Sequence, residues 1–158
     1  MNDKIFLGII GVAILTIVAL GFLIYPQNAN NSSTISVAGY MDQAKNLTTT
    51  ESDLITQIIN SYNALSDGNI TSQEALNQMT TSYENIQTIN QTWDTIQVLP
   101  KYERYNQLQK NATIADLNAA QDLIAVVQTG DISYNYDASR QNEDYKNFAA
   151  QEYQTINQ

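Results

Sequence analysis

One unbroken apolar run, residues 5–25, constrains this chain more than any other feature. Thr16 is its only polar side chain, and no charged residue interrupts it. At 1.5 Å of rise per residue, a helix over this run would be about 31 Å long, which matches the hydrocarbon core of a bilayer. We therefore expect a single transmembrane helix, with residues 1–25 forming a cytoplasmic stub and a membrane anchor in contact with lipid.

The alternative is a cleaved secretory signal, whose apolar stretch is usually about 7–15 residues long and is followed by a small-x-small site. Here the run is longer, and Gln27-Asn28-Ala29 begins with an unfavourable residue for cleavage. An uncleaved signal anchor therefore fits better. Lys4 precedes the run and the next basic residue is Lys45, so the positive-inside rule predicts a cytoplasmic amino terminus and an extracytoplasmic domain at the cell membrane.

The charge balance excludes several classes of partner. The chain holds 7 Lys and Arg against 16 Asp and Glu, a formal net charge of −9. Nucleic acids and anionic lipid headgroups are bound by clusters of Lys or Arg, so we expect neither as a partner. Cys and His do not occur, which removes thiol chemistry, the Ser-His-Asp triad and the usual zinc and copper ligands. We expect no cofactor and no metal site.

The chain after Pro26 has the pattern of a short linker followed by helices. Residues 26–35 are rich in Asn and Ser, whereas apolar residues recur at intervals of three and four across residues 36–158. The pattern predicts an all-α protein, in which one N-terminal transmembrane helix is followed by an extracytoplasmic up-down four-helix bundle made of two helical hairpins.

Cap signals place the boundaries of the soluble helices. Gly68 should end the first, and Thr71 with Glu74 has the spacing of a capping box that starts the second. Pro100 should open the third, and Gly130 should close it. The segments around the two glycines share a Gly-polar-Ile-hydroxyl pattern, which fits either two related hairpins or the common punctuation of helical turns.

Three further boundaries are expected with less direct signals. Thr48 and Glu51 repeat the capping-box spacing beside a run of threonines, so the first soluble helix could break or restart there. The second soluble helix should reach about Leu99, because Pro100 cannot continue its hydrogen-bond ladder. The last helix is expected between residues 133 and 156.

Neighbouring carboxylates are the residues that could suggest catalysis, since glycosidases use two of them. Such pairs need a cleft and two different environments, whereas acids spread over polar helix faces are typical of a solvated surface. We interpret these pairs as surface residues and predict that the chain is not an enzyme. The pairs are Glu51 with Asp53, Asp116 with Asp122, and Glu143 with Asp144.

Six Asn-x-Ser/Thr sequons are candidates for glycosylation in a host that has the enzyme. Asn69 is the best acceptor, because it lies in a predicted turn. The others depend on the helix face they occupy. The six are Asn30, Asn31, Asn46, Asn69, Asn90 and Asn111.

Tyrosine is unusually common, with ten residues against three Phe. A tyrosine can bury its ring while its hydroxyl stays hydrated, so most of these residues fit the rim of a narrow bundle. Tyr134 and Tyr136 lie in or beside a turn and are the candidates for contact with a partner. Trp93 lies on an apolar stripe and is expected in the core.

These features lead to three hypotheses about function. The first is a non-catalytic, membrane-anchored helical module, an accessory or envelope protein that binds another protein. The second is a sensor-type bundle that binds a small molecule and works with a membrane partner. The third is a filament or surface-layer subunit that self-associates through its apolar N-terminal helix.

Overall fold

The computed structural model describes residues 35–131 and 137–157, with side chains for residues 35–131 and 143–157. These residues form four α-helices and one turn of 3-10 helix, with no β-strand among them, so the predicted all-α helical bundle is confirmed for this part of the chain. The elements are α1 (Val37–Ser66), α2 (Ser72–Thr95), the 3-10 turn (Pro100–Tyr102), α3 (Glu103–Thr129) and α4 (Asp137–Ile156).

The first helix, α1, continues without interruption for 30 residues, so the predicted break at Thr48 and Glu51 is wrong. The Thr48 hydroxyl donates to the Lys45 carbonyl at 3.0 Å within the helix, and Glu51 is buried in the bundle instead of capping a new helix. The low helix propensity of threonine is a weak effect, and burial of an apolar helix face overrides it.

The turn between α1 and α2 forms as predicted. Gly68 has a left-handed φ of 76°, and the Asn69 N–H donates back to the Ala64 carbonyl at 2.8 Å, as in a Schellman cap. At the start of α2, the Thr71 hydroxyl accepts from the Glu74 N–H, and the Glu74 carboxylate accepts from the Thr71 N–H. This capping box satisfies two backbone donors that the helix itself leaves unpaired.

The second helix ends at Thr95, earlier than the expected end near Leu99. Leu99 has the extended conformation required before proline, and Ile96 is already extended, with ψ of 144°. Residues 96–99 therefore form the connection between α2 and the 3-10 turn. Pro100 opens the 3-10 turn that leads into α3, and Gly130 closes α3 with a left-handed φ of 72°, as predicted.

Side-chain pairs show that successive helices are antiparallel, because partners move up one helix as they move down its neighbour. The pairs are Ser61 with Gln78 and Gln57 with Ser82 for α1 and α2, Trp93 with Thr113 and Asp94 with Lys110 for α2 and α3, and Arg104 with Glu152 and Asp116 with Lys146 for α3 and α4. Helix α3 packs against the three others, whereas the backbone of α4, among the described elements, approaches α3 and the 3-10 turn.

The core contains Trp93, as predicted, and a cluster of tyrosines that were expected at the rim. Tyr40, Tyr102 and Tyr105 are buried at the end of the bundle where α1 begins, with ring centroids 5.2–6.5 Å apart. Tyr153 of α4 packs beside Tyr105 at 5.8 Å. Burial raises the pKa of Tyr105 to about 12 and also raises that of Tyr40. The prediction that tyrosines occupy the rim of the bundle is therefore wrong for these three buried rings.

Among the described helices, none is both long and apolar enough to cross a bilayer. The predicted anchor, residues 5–25, lies outside the described residues, as does the linker up to residue 34. The anchor and the placement of the bundle outside the cytoplasm therefore stay predictions.

Candidate functional site

Four polar side chains meet in the interior of the bundle and form what we call the acid–lysine cluster: Glu51 of α1, Thr113 and Asp116 of α3, and Lys146 of α4. The Lys146 Nζ lies 3.2 Å from Asp116 Oδ2, and the Thr113 hydroxyl donates to Glu51 Oε2 at 2.7 Å. The Trp93 indole of α2 donates to Thr113 Oγ1 at 3.0 Å. All four helices therefore contribute to one buried polar site.

Helical periodicity explains why both carboxyl groups point inward. Glu51 lies seven residues before buried Ile58, on the same face of α1, and Asp116 lies midway between buried Ala112 and Ala120 of α3. The small alanines let neighbouring helices approach closely. The surface interpretation is therefore wrong for Glu51 and Asp116. The signal that could have identified them is a carboxylate in register with an apolar stripe.

Two buried carboxyl groups face a single lysine, so the charges of the cluster balance only when the carboxyl pair holds one proton. Burial, and then the negative charge of Asp116, raise the pKa of Glu51 well above its usual value, while Lys146 and Thr113 act in the opposite direction. Glu51 Oε2 accepts from the Thr113 hydroxyl, whereas Glu51 Oε1 is buried without a hydrogen-bond partner. A proton on the pair would give one carboxyl a donor for the other.

Burial decides what the acid–lysine cluster can do chemically. Two carboxyls in different environments can act as an acid and a base, but a substrate must be able to reach them. Glu51 is 3% exposed and Asp116 is 1% exposed, and the Lys146 side chain that pairs with Asp116 is 13% exposed. The cluster is therefore suited to hold the helices together and to bind a proton. Within the described residues, no group of three or more acidic side chains is placed to hold a metal ion.

A second feature, the α1–α2 groove, lies on the surface and encloses about 640 Å³. Two hydrogen bonds between its lining residues join α1 to α2, from the Ser61 hydroxyl to Gln78 Oε1 at 2.8 Å and from the Ser82 hydroxyl to Gln57 Oε1 at 3.2 Å. None of its lining residues is charged. They are Gln57, Asn60, Ser61, Ala64, Asn77, Gln78, Thr81 and Ser82. Most of the lining surface is nevertheless carbon, and the remaining amides and hydroxyls can donate and accept hydrogen bonds, so the groove suits an uncharged ligand with both apolar and polar groups.

The sequons differ in exposure. Asn46 and Asn69 are exposed, Asn90 and Asn111 are half-buried, and Asn30 and Asn31 lie outside the described residues. The Oδ1 atom of Asn90 is buried without a hydrogen-bond partner. A glycan needs an accessible amide, so the folded bundle favours Asn46 and Asn69. Their glycosylation stays a prediction.

The remaining predicted site residues lie partly on the surface of the bundle and partly outside the described residues. Tyr134 and Tyr136 lie outside the described residues, so their contact with a partner stays a prediction. The acids at Asp53, Glu143 and Asp144 are exposed, as the surface interpretation predicts. Asp122 is half-buried, and burial raises its pKa.

Comparison of the chain with protein-family models, with curated proteins and with solved structures finds no match.

Proposed function

We propose that this chain is a non-catalytic, single-pass membrane protein whose helical bundle stands outside the cytoplasm and binds another protein. Residues 5–25 would form the anchor. Two contrasting sites support a binding role over a catalytic one. The acidic pair most suited to catalysis is enclosed within the bundle, whereas hydrogen-bonding groups without charge line a groove that faces solvent.

The α1–α2 groove is the observation that carries the proposal. The chain as a whole carries a formal net charge of −9, yet no Asp, Glu, Lys or Arg lines this groove. Charged residues are depleted at the centres of protein interfaces, because their desolvation is expensive. An extended polypeptide segment offers the same uncharged amide groups as the groove and can exchange hydrogen bonds with it.

A charge introduced into the groove tests this proposal. The full chain, tagged after Gln158, would be extracted from native membranes in mild detergent, and co-purifying proteins would be quantified by mass spectrometry. The double variant Asn60→Lys with Thr81→Lys places two cations in the groove. The control, Asn118→Lys with Gln121→Lys, adds the same charge to exposed positions of α3.

We expect the wild type and the control to recover one protein in a fixed ratio, and the groove variant to recover at least about tenfold less, which corresponds to about 1.4 kcal/mol of binding energy. Equal recovery by the groove variant would show that the interface lies elsewhere. Recovery of the wild type alone would contradict the binding role. Long assemblies of the chain would favour the filament or surface-layer hypothesis.

The same groove supports one alternative, a sensor-type bundle that binds a small uncharged polar molecule and works with a membrane partner. Its volume of about 640 Å³ falls within the range of about 300–1,000 Å³ typical of small-molecule sites. Ligand binding to the folded state alone would raise the unfolding temperature. A screen of uncharged polar metabolites by thermal unfolding, with the groove variant as control, distinguishes this alternative from protein binding.

A further inference from the structure

The acid–lysine cluster contains two buried carboxyls and a single buried cation, so its charge balances only while one proton remains bound. We propose that this cluster is a proton-operated latch: it holds α4 on the bundle while the carboxyl pair carries one proton, and it loosens α4 when that proton passes to water. The inference concerns the interior of the bundle and does not depend on any partner.

The charged groups around Glu51 determine the direction of the effect. Asp116 faces it from α3 and Lys146 reaches the cluster from α4, while α2 contributes the uncharged Trp93 indole through Thr113. On α1 itself, Asp53 is exposed to solvent. Loss of the proton leaves two negative charges against one positive charge, and it leaves Glu51 Oε1 without a hydrogen bond. A buried, uncompensated charge is strongly unfavourable, so water must enter or the cluster must open.

Helix α4 supplies the cation of the cluster and is the helix that the latch would release. Among the described elements its backbone approaches only α3 and the 3-10 turn, and its packing on α3 is the most extensive between any two helices, so release of α4 means separation from α3. The Lys146 side chain is the member of the cluster closest to solvent, so displacement of α4 is the shortest route by which water reaches the carboxyls. In the ion pair between Arg104 of α3 and Glu152 of α4, the Arg104 side chain is exposed and that of Glu152 is half-buried, so solvent screens the pair and it adds little resistance.

The sign of the pH dependence follows from proton linkage. The closed form binds a proton that the open form, with Glu51 hydrated, releases at the ordinary pKa of about 4.3. As the pH rises from that value towards the raised pKa of Glu51 in the closed form, the opening constant of α4 should increase by up to about tenfold per pH unit. Above the raised pKa it should level off.

Hydrogen exchange of the full chain in detergent micelles, followed by mass spectrometry from about pH 5 to about pH 9, tests the latch. Glu51→Gln is the matched variant, because its amide can donate to Asp116 at every pH without carrying a charge. Intrinsic exchange rates depend on pH but are equal for the two proteins. We expect the protection of α4 in the wild type to fall with rising pH relative to the variant, while α1, α2 and α3 stay protected.

Two outcomes would overturn the latch. Protection of α4 that follows the same pH course in both proteins would show that the proton has no effect on its docking. Loss of protection in all four helices together would show a global stability effect.

Glu51→Met replaces Glu51→Gln if the latter does not fold, because it also removes the titrating group. Trp93 emission gives a second readout, since the indole is bonded to the cluster through Thr113.

Discussion

Replacing Lys146 with Met tests whether the acid–lysine cluster is as desolvated as its burial indicates. Asp116 is 1% exposed, and Lys146 supplies the cation that compensates it. Breaking one partner of a buried ion pair typically lowers the free energy of unfolding by about 3–5 kcal/mol. The free-energy cost of protonating the aspartate sets an upper limit on this loss, and that limit agrees with the range. A buried aspartate can avoid its charge by binding a proton, and neutralising an aspartate of ordinary acidity at pH 7 takes about 4 kcal/mol.

The same reasoning predicts how the loss depends on pH. At about pH 5 the proton is easier to bind, and neutralising an ordinary aspartate takes only about 1.5 kcal/mol. The destabilisation caused by Lys146→Met should therefore shrink as the pH falls. The control is Lys110→Met, which breaks the pair with Asp94 at the surface, where the two side chains are 22% and 60% exposed. Exposed pairs contribute about 0–1 kcal/mol.

Urea unfolding followed by Trp93 fluorescence measures these effects, because Trp93 is the only tryptophan in the chain and is buried next to the cluster. With a dependence on urea of about 2 kcal/mol per molar, a loss of 3–5 kcal/mol lowers the midpoint by roughly 1.5–2.5 M. If Lys146→Met were no more damaging than Lys110→Met at pH 7, Asp116 would be accessible to water and the reasoning would be refuted.

Three further outcomes are expected. Thr113→Val should lower the free energy of unfolding by about 1–3 kcal/mol in the same urea assay, because it leaves the Trp93 indole and a Glu51 oxygen without partners, whereas an unchanged midpoint would show that water replaces the hydroxyl. Gly130→Ala should lower the unfolding free energy by about 1–2 kcal/mol in thermal unfolding, because φ is 72° and no atom within 4 Å of the added Cβ could cause a clash instead. Stability should be retained below about pH 10, the ordinary pKa of tyrosine, and lost as the pH rises towards about 12, the pKa of buried Tyr105. Tyr105→Phe removes this ionising hydroxyl, so the alkaline loss of stability, monitored by tyrosinate absorbance, should be smaller in the variant. An unchanged alkaline transition would contradict the burial of the Tyr105 ring.

Local chemistry explains which parts of the fold could be predicted from the sequence. Gly68, Thr71 and Gly130 act through their own backbone conformation or through hydrogen bonds to residues a few positions away, so their caps can be recognised without knowledge of the tertiary structure. Trp93 lies on a continuous apolar stripe of its helix, and such a stripe is expected to face the core. The uninterrupted α1 shows the limit of this approach, because burial of its apolar face overrode the local signal at Thr48.

The acid–lysine cluster could not be predicted in the same way, because its members are distant in sequence. Periodicity places Glu51 and Asp116 on inward faces, but it does not show that Lys146 reaches Asp116 from another helix. A carboxylate on an apolar stripe is favourable only with such a partner, and that partner is known only once the helices are packed. The α1–α2 groove has the same origin, since its polar residues resemble ordinary surface until two helices bring them together.

The four described helices alternate in direction, so the start of α1 and the end of α4 lie at the same end of the bundle. The Tyr40 hydroxyl near the start of α1 donates to Asn106 near the start of α3, and the Tyr102 hydroxyl donates to Asn157 just after α4. The turn at Gly68 is at the opposite end, about 45 Å away for a helix with the length of α1. On a chain anchored through residues 5–25, an epitope after α4 would be close to the lipid surface and hidden from antibodies on intact cells. An epitope inserted at the Gly68 turn would be displayed far above the surface.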